Sequence, residues 1–221
     1  MRISICAIFA LFLSSATASS QALFDFPPDF LADASNDPAI AVARGGDRTS
    51  AVNFTLTATV LAMEDGDTIT LEGSNKARFI IRFSDIDTPE VAHKAFTPRD
   101  CQCKPIPFRP GQPGGKSAKQ SLEGLVAVGD KVAAECYEMD QYGRAVCHIF
   151  KAGLNLNLEQ IKRGWGWLPS KAEWVRDPQS RPAEDAARKA KLGAWALQNQ
   201  VPPAEWRKNC WIDGKCDGAE N

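Results

Sequence analysis

Arg82-Phe83-Ser84-Asp85-Ile86-Asp87-Thr88-Pro89-Glu90 is the stretch at which the chain passes from strand to chemistry. Upstream, Ala77 to Phe83 is dense in Phe and Ile, the composition of a buried strand, yet it carries a cation at Arg82. Pro89 biases Thr88 toward an extended backbone and ends strand pairing. Asp85, Asp87 and Glu90 then bring carboxylates to the strand mouth beside the guanidinium. Hard oxygens next to an arginine suit a cation site that faces an anionic substrate. Read alone, the stretch fits an ordinary strand and a solvated acidic turn equally well.

Two further turns bear on that choice. Asp65-Gly66-Asp67-Thr68 lies between two apolar alternating runs and reads as a hairpin that brings Asp67 toward Asp87. Asp140-Gln141-Tyr142-Gly143-Arg144 reads as a second hairpin turn, with an arginine next to an aromatic ring. A phosphodiester repels nucleophiles, and its transition state gathers charge on the phosphoryl oxygens. Cleavage therefore calls for a cation, donors that tighten as charge develops, and a group that handles water. Asp67 and Asp87 are hard ligands suited to calcium, Arg82 and Arg144 are planar two-pronged donors, and Glu90 is the candidate base.

The three motifs, in this order and spacing, resemble the staphylococcal nuclease (thermonuclease) family from about Thr57 to about Trp195. The resemblance implies an OB-fold barrel and a calcium-dependent phosphodiesterase acting on DNA and RNA, with products ending in 3′-phosphates. It implies that Asp67 and Asp87 bind calcium through carboxylates and Thr88 through its carbonyl, with Asp65 an outer acid of that site. It implies that Arg82 and Arg144 contact the scissile phosphate and that Glu90 activates or orients water. Tyr142 falls where the family has a residue near the terminal phosphate, and Trp165 and Trp167 where it has rings that stack on the base. Such stacking is worth about 1–3 kcal/mol per base, and core packing is the equal alternative for both tryptophans. The chain departs from the type member in three places: an insertion with Cys101-Gln102-Cys103, Gln141 before the turn tyrosine where the type member has lysine, and a C-terminal extension beyond Trp195.

Around these motifs the chain divides into four parts. Residues 1–18 read as a signal peptide: Arg2, an apolar run from Ile3 to Leu13, and a small-x-small site at Ala16-Thr17-Ala18. Residues 19–50 read as a flexible arm, 51–197 as the barrel domain and 198–221 as the C-terminal extension. The expected mature protein is exported, periplasmic or secreted, free of the membrane and monomeric. Formal net charge is −1, and loss of Arg2 with the leader takes −1 to −2. That argues against tight, non-specific binding through phosphate contacts and leaves room for an enzyme that grips phosphate locally.

Seven cysteines less Cys6 leave six, an even number that argues for disulfides in an oxidising compartment. Cys136 and Cys147 flank the second hairpin almost symmetrically and should face each other across two strands. Cys210 and Cys216 should close a small loop, while the partners of Cys101 and Cys103 stay open. A zinc site built from these four loop cysteines is a minor alternative.

Alternation marks strands at about 54–62, 67–72, 76–86, 131–138 and 144–150, and helical spacing marks helices at 117–128, 154–163 and 182–191. Gly115-Lys116-Ser117 lacks the first glycine of a phosphate loop and reads as a helix start. The order fits an α+β fold, mainly β: a five-stranded barrel with about three flanking helices. Pattern alone leaves other α+β arrangements open, and the resemblance selects the OB-fold. A second function class is a non-catalytic nucleic-acid or protein binding module on the same fold. Such modules lose members of the arginine–glutamate–aspartate set, all of which stand here.

Overall fold

Alternation and turn chemistry together account for the sheet. In the computed structural model, which describes residues 51–97 and 104–220, β1 (Phe54–Met63), β2 (Thr68–Glu72) and β3 (Arg78–Phe83) form an antiparallel meander. β4 (Lys131–Met139) returns beside β1, β5 (Ala145–Lys151) pairs with β4, and a two-residue β6 (Leu154–Asn155) extends β5. A parallel pairing of β3 with β5, Ile81 opposite Ala145 and Phe83 opposite Cys147, closes the sheet on itself. The result is the expected five-stranded OB-fold barrel, a mixed sheet with no long free edge. Residues 1–50, for which the sequence suggests a leader and an arm, lie outside the described residues, as do Cys101 and Cys103.

One expectation about β3 changes in the structure. Its side chains alternate, so Phe79, Ile81 and Phe83 enter the core while Ile80 is 41 % exposed. Arg82 belongs to the outward set, so its charge sits in the barrel wall with no demand on the apolar interior. The interior is Val60, Ile69, Leu71, Ile81, Phe83 and Ile149, with Leu122, Val126, Leu156 and Ile161 packed into the same cluster. Removing these from water supplies the main stabilisation, about 25 cal/mol per Å² of apolar surface.

Helix boundaries move for local reasons. α1 (Gly115–Glu123) starts two residues earlier than expected and ends at Gly124, so Leu125 and Val126 pack from the following turn. α2 (Leu156–Lys162) starts two residues late, because the Asn155 side chain accepts from the N–H groups of Asn157 and Leu158 and caps it. α3 (Ser180–Lys189) holds Pro182 in its first turn, where no N–H is needed. A short α4 (Pro203–Trp206) adds a fourth helix, continued by a π-helical turn at Arg207–Ile212. Among the described residues no helix is long and apolar enough to cross a membrane.

Both expected bridges are present. Cys136 and Cys147 are directly opposite in the β4–β5 ladder, and Cys210 joins Cys216 across a separation of 6 residues. The second bridge withdraws Cys210 and Cys216 from any zinc site with Cys101 and Cys103. The Cys136–Cys147 bridge clamps the two strands next to the β3–β5 closure, across a separation of 11 residues. Replacing both cysteines by alanine should lower the unfolding free energy by about 2–4 kcal/mol, read from the urea midpoint. A loss below about 0.5 kcal/mol would mean that the ladder alone sets this register.

Candidate active site

The hairpin between β1 and β2 sets the first two carboxylates. Asp65 Oδ1 accepts the Asp67 N–H at 2.9 Å, and Gly66 between them lies against Thr88 and Ala118. A Cβ on Gly66 would stand 2.8 Å from Thr88 Oγ1, so the close approach of the hairpin to the Thr88 turn requires glycine. Gln160 of α2 holds the same hairpin, donating to the Gly66 carbonyl at 2.8 Å and the Ala118 carbonyl at 3.0 Å.

The turn after β3 sets the rest. Asp87 is fixed through its backbone, which exchanges two hydrogen bonds with Trp167 at 2.9 Å. Thr88, 2 % exposed, donates its N–H at 2.7 Å and its hydroxyl at 2.9 Å to Asp67 Oδ2. Arg82 pairs with Asp67 and, at 2.7 Å, with Asp87 Oδ1. One guanidinium thus binds the carboxylates of two separate turns together. Glu90 is placed by its own backbone: its carbonyl accepts from the Gln112 N–H at 2.8 Å. The start of α1 presses on that carbonyl, because a Cβ on Gly115 would fall 2.0 Å from it.

Four carboxylates therefore face one another at the barrel mouth, and their electrostatics follow. Burial, then the charges of Asp67 and Glu90, push the Asp65 carboxyl well above the usual carboxylate range. Burial would raise Asp67 as well, but the Arg82 charge and both Thr88 donors outweigh it and hold Asp67 below that range. Arg82 stays charged: desolvation works against it, and Asp67 and Asp87 more than offset that. Among the described residues no three His, Cys, Asp or Glu side chains close into a metal cage. The donor set still fits a hard cation held by few protein ligands. The oxygens that Arg82 draws together, those of Asp67 and Asp87, are carboxylates, hard donors of the kind such a cation takes.

Not every expected residue enters this cluster. Arg144 lies two residues before Val146, the partner of Arg82 in the β3–β5 pairing. Its side chain, however, bonds Asp140 Oδ2 at 2.7 Å and lies 5.5 Å from the Tyr142 ring. Tyr142 itself is 72 % exposed. Trp165 is half-buried against Gly114 at the head of α1. Trp167 is 7 % exposed, packed on Trp195 at 4.0 Å under the Arg188 guanidinium, which places it in the core rather than on an open stacking face. His93, a loop residue, lies 3.5 Å from Glu90 Oε2.

The residue that sequence reasoning missed is Arg207. Its guanidinium forks onto Asp87, Nη1 to Oδ1 at 3.0 Å and Nη2 to Oδ2 at 2.7 Å, and Nη1 also donates to Glu90 Oε1. No motif surrounds it. The paired Cys210 and Cys216 nearby were the one signal that this segment is folded at all.

Comparison with known proteins agrees with this architecture. A family model described as Staphylococcal nuclease homologue matches residues 80–197, more than half of the chain. The match leaves out both the hairpin with Asp65 and Asp67 and the segment with Arg207. The chain is 34 % identical over 132 residues to an uncharacterized 38.1 kDa protein of Capnoides sempervirens, covering 60 % of this chain and 32 % of that one. It is 27 % identical over 152 residues to an uncharacterized endonuclease of Haemophilus influenzae, covering 69 % and 73 % respectively. Against endonuclease YhcR of Bacillus subtilis the identity is 32 % over 140 residues, covering 59 % of this chain and 11 % of that protein. The chain thus spans a small part of several of the curated relatives that it matches.

Proposed function

Because the chain belongs to the staphylococcal nuclease homologue family, we propose that it is an exported, calcium-dependent nuclease that hydrolyses phosphodiester bonds of DNA and RNA and leaves 3′-phosphate ends. The observation that carries this reading is the convergence of Glu90 with the Asp67–Arg82–Asp87 ion-pair chain at one barrel mouth. Endonuclease-named relatives support the reaction class. Two disulfides support an oxidising compartment, and the leader-like residues 1–18 support export.

Asp67, Asp87 and the Thr88 carbonyl would hold the cation, which when bound would neutralise a non-bridging phosphate oxygen. Everything else falls to the chain's own side chains. Arg82, anchored by two aspartates, presents a guanidinium that cannot lose its charge to a substrate oxygen. Arg144 would bring a second guanidinium to the phosphate, which would compete with Asp140 for its fork. Glu90 orients water and takes up its proton as water oxygen bonds to phosphorus and the bond to the 5′ oxygen breaks. The leaving 5′ oxygen gains a proton, so one water is consumed per cut. Asp65, whose carboxyl is pushed well above its usual range by burial and by the Asp67 charge, accepts the Asp67 N–H and braces the hairpin that carries Asp67.

The test is digestion of single-stranded DNA by the oxidised mature protein with calcium or with chelator. The expected result is cleavage that chelator lowers at least about 100-fold, with 3′-phosphate ends on the products. Intact DNA, from a folded protein in calcium and in other divalent ions, would remove the nuclease reading.

A further inference from the structure

We propose that Arg207 is a positioning residue of this reaction centre, a guanidinium clamp that holds Glu90 in register with Asp87 and is delivered by a disulfide-closed C-terminal strap. The proposal rests on the nuclease reading above for the role of Glu90, and goes beyond the residues that the family model covers.

The contacts define a clamp rather than a chance surface pair. Arg207 engages both oxygens of Asp87 and one of Glu90 at once. Two-pronged guanidinium–carboxylate pairs fix orientation as well as distance. The Asp87 and Glu90 carboxylates are 22 % and 12 % exposed, so water competes weakly for either. Of the five N–H donors of the guanidinium, three are engaged by these carboxylates. Desolvation works against the charge on Arg207, but the Asp87 and Glu90 carboxylates more than offset it and hold its pKa above the ordinary value.

The strap argues against a removable plug. Glu220 exchanges backbone bonds with Gly111 at 2.8 and 2.9 Å, and its carboxylate accepts the Gly114 N–H at 2.7 Å. Gln112 donates to the Val201 carbonyl at 2.8 Å, and Trp211 Nε1 donates to the Pro110 carbonyl at 2.9 Å. Trp206 and Cys210 are buried on either side of Arg207, and Cys210 is bridged to Cys216. The loop that receives these bonds is the one whose Gln112 N–H holds the Glu90 carbonyl. Strap, loop and Glu90 are therefore one mechanical unit. A segment meant to leave would not be stapled at this many points.

The clamp makes an unusual pair of expectations. A positive charge on Asp87 opposes a cation at the same carboxylate, so its removal should tighten calcium binding; the loss of orientation at Glu90 should slow turnover. Arg207→Ala is expected to bind calcium about 3–10-fold more tightly by calorimetry without substrate, yet to show kcat for single-stranded DNA at least about 30-fold lower with KM within about threefold. Arg207→Lys keeps the charge but not the fork. It should bind calcium within about twofold of wild type and still lose at least about tenfold in kcat. Thermal unfolding of both variants checks that the strap is still docked, and the lysine variant carries the test should the alanine variant not fold.

Tighter calcium with faster cleavage would make Arg207 an inhibitory plug and overturn the clamp. Weaker calcium together with slower cleavage would reduce it to scaffolding, and wild-type values of both would make it an idle ion pair. If the wild type cleaves nothing, the nuclease reading fails by that control. The clamp then stands or falls on calorimetry, and unchanged calcium affinity in Arg207→Ala overturns it.

Discussion

Glu90→Gln should lower kcat for single-stranded DNA at least about 100-fold while KM stays within about threefold. Glutamine keeps the volume of Glu90 and an amide oxygen that can still accept from Arg207, so the clamp and the fold should survive. What is lost is the negative charge and the capacity to take a proton from water. The Glu90 carboxyl is 12 % exposed and carries the Arg207 contact on Oε1, which leaves Oε2, 3.5 Å from His93, as the oxygen available to water. A base so confined has no ready stand-in, because Asp67 is engaged by Thr88 and Arg82 and is assigned to the cation. Steady-state rates on a defined oligonucleotide read the outcome. A fall of less than about fivefold would make Glu90 a spacer and move the proton to solvent.

The parts of this site that are legible in sequence are those made by short-range chemistry. The two hairpins announce themselves because tight turns need Asp, Asn and Gly at fixed offsets, and the Cys136–Cys147 bridge follows from symmetry about one of them. Pro89 marks where β3 must stop. Residues brought together by the fold alone leave no such trace. Arg207 meets Asp87 across a separation of 120 residues and Glu90 across 117, at positions that only the docked strap determines. The same holds for the two tryptophans after α2. Gly-Trp-Gly-Trp carries no sign that Trp167 meets Trp195 and Arg188, whereas Trp165 meets Gly114. Arg144 shows the opposite lesson. Its local partner Asp140 is four residues away, and that nearby pairing takes up its side chain. The composition of β3 overstated its burial because hydrophobicity counts Ile80 with Ile81, while the pleat puts them on opposite faces.

The largest stability effect should come from Arg176→Met, which is expected to lower the unfolding free energy by about 3–5 kcal/mol. Arg176 lies beyond the site, under the end of β3, with its side chain 5 % exposed. It donates from Nη2 to both oxygens of Glu138 at 2.6 Å and from Nη1 to Ser84 Oγ at 2.8 Å, and its guanidinium lies 4.5 Å from the Tyr137 ring. Its backbone N–H and that of Asp177 both donate to Asp85 Oδ2 at 2.8 Å. Burial would raise the Asp85 carboxyl, but His148, Ser84 and the Asp177 N–H hold it below its usual range, so the network keeps a buried negative charge. Methionine matches the length of the arginine stem, leaves Glu138 without its cation and leaves Asp85 to His148 and the backbone donors. That stranded charge dominates the cost, since an ion pair replaced whole by apolar groups can be neutral. Adding Glu138→Gln to Arg176→Met should therefore recover about 1–2 kcal/mol, a coupling that a double-mutant cycle in urea with disulfides intact will read. A loss below about 1 kcal/mol for the single variant would mean that water reaches Glu138 and Asp85 and that the network is a surface feature. Asp85, at φ +66°, lies two residues before Asp87, so the same network that stabilises the barrel fixes the angle at which β3 hands over to the carboxylate turn.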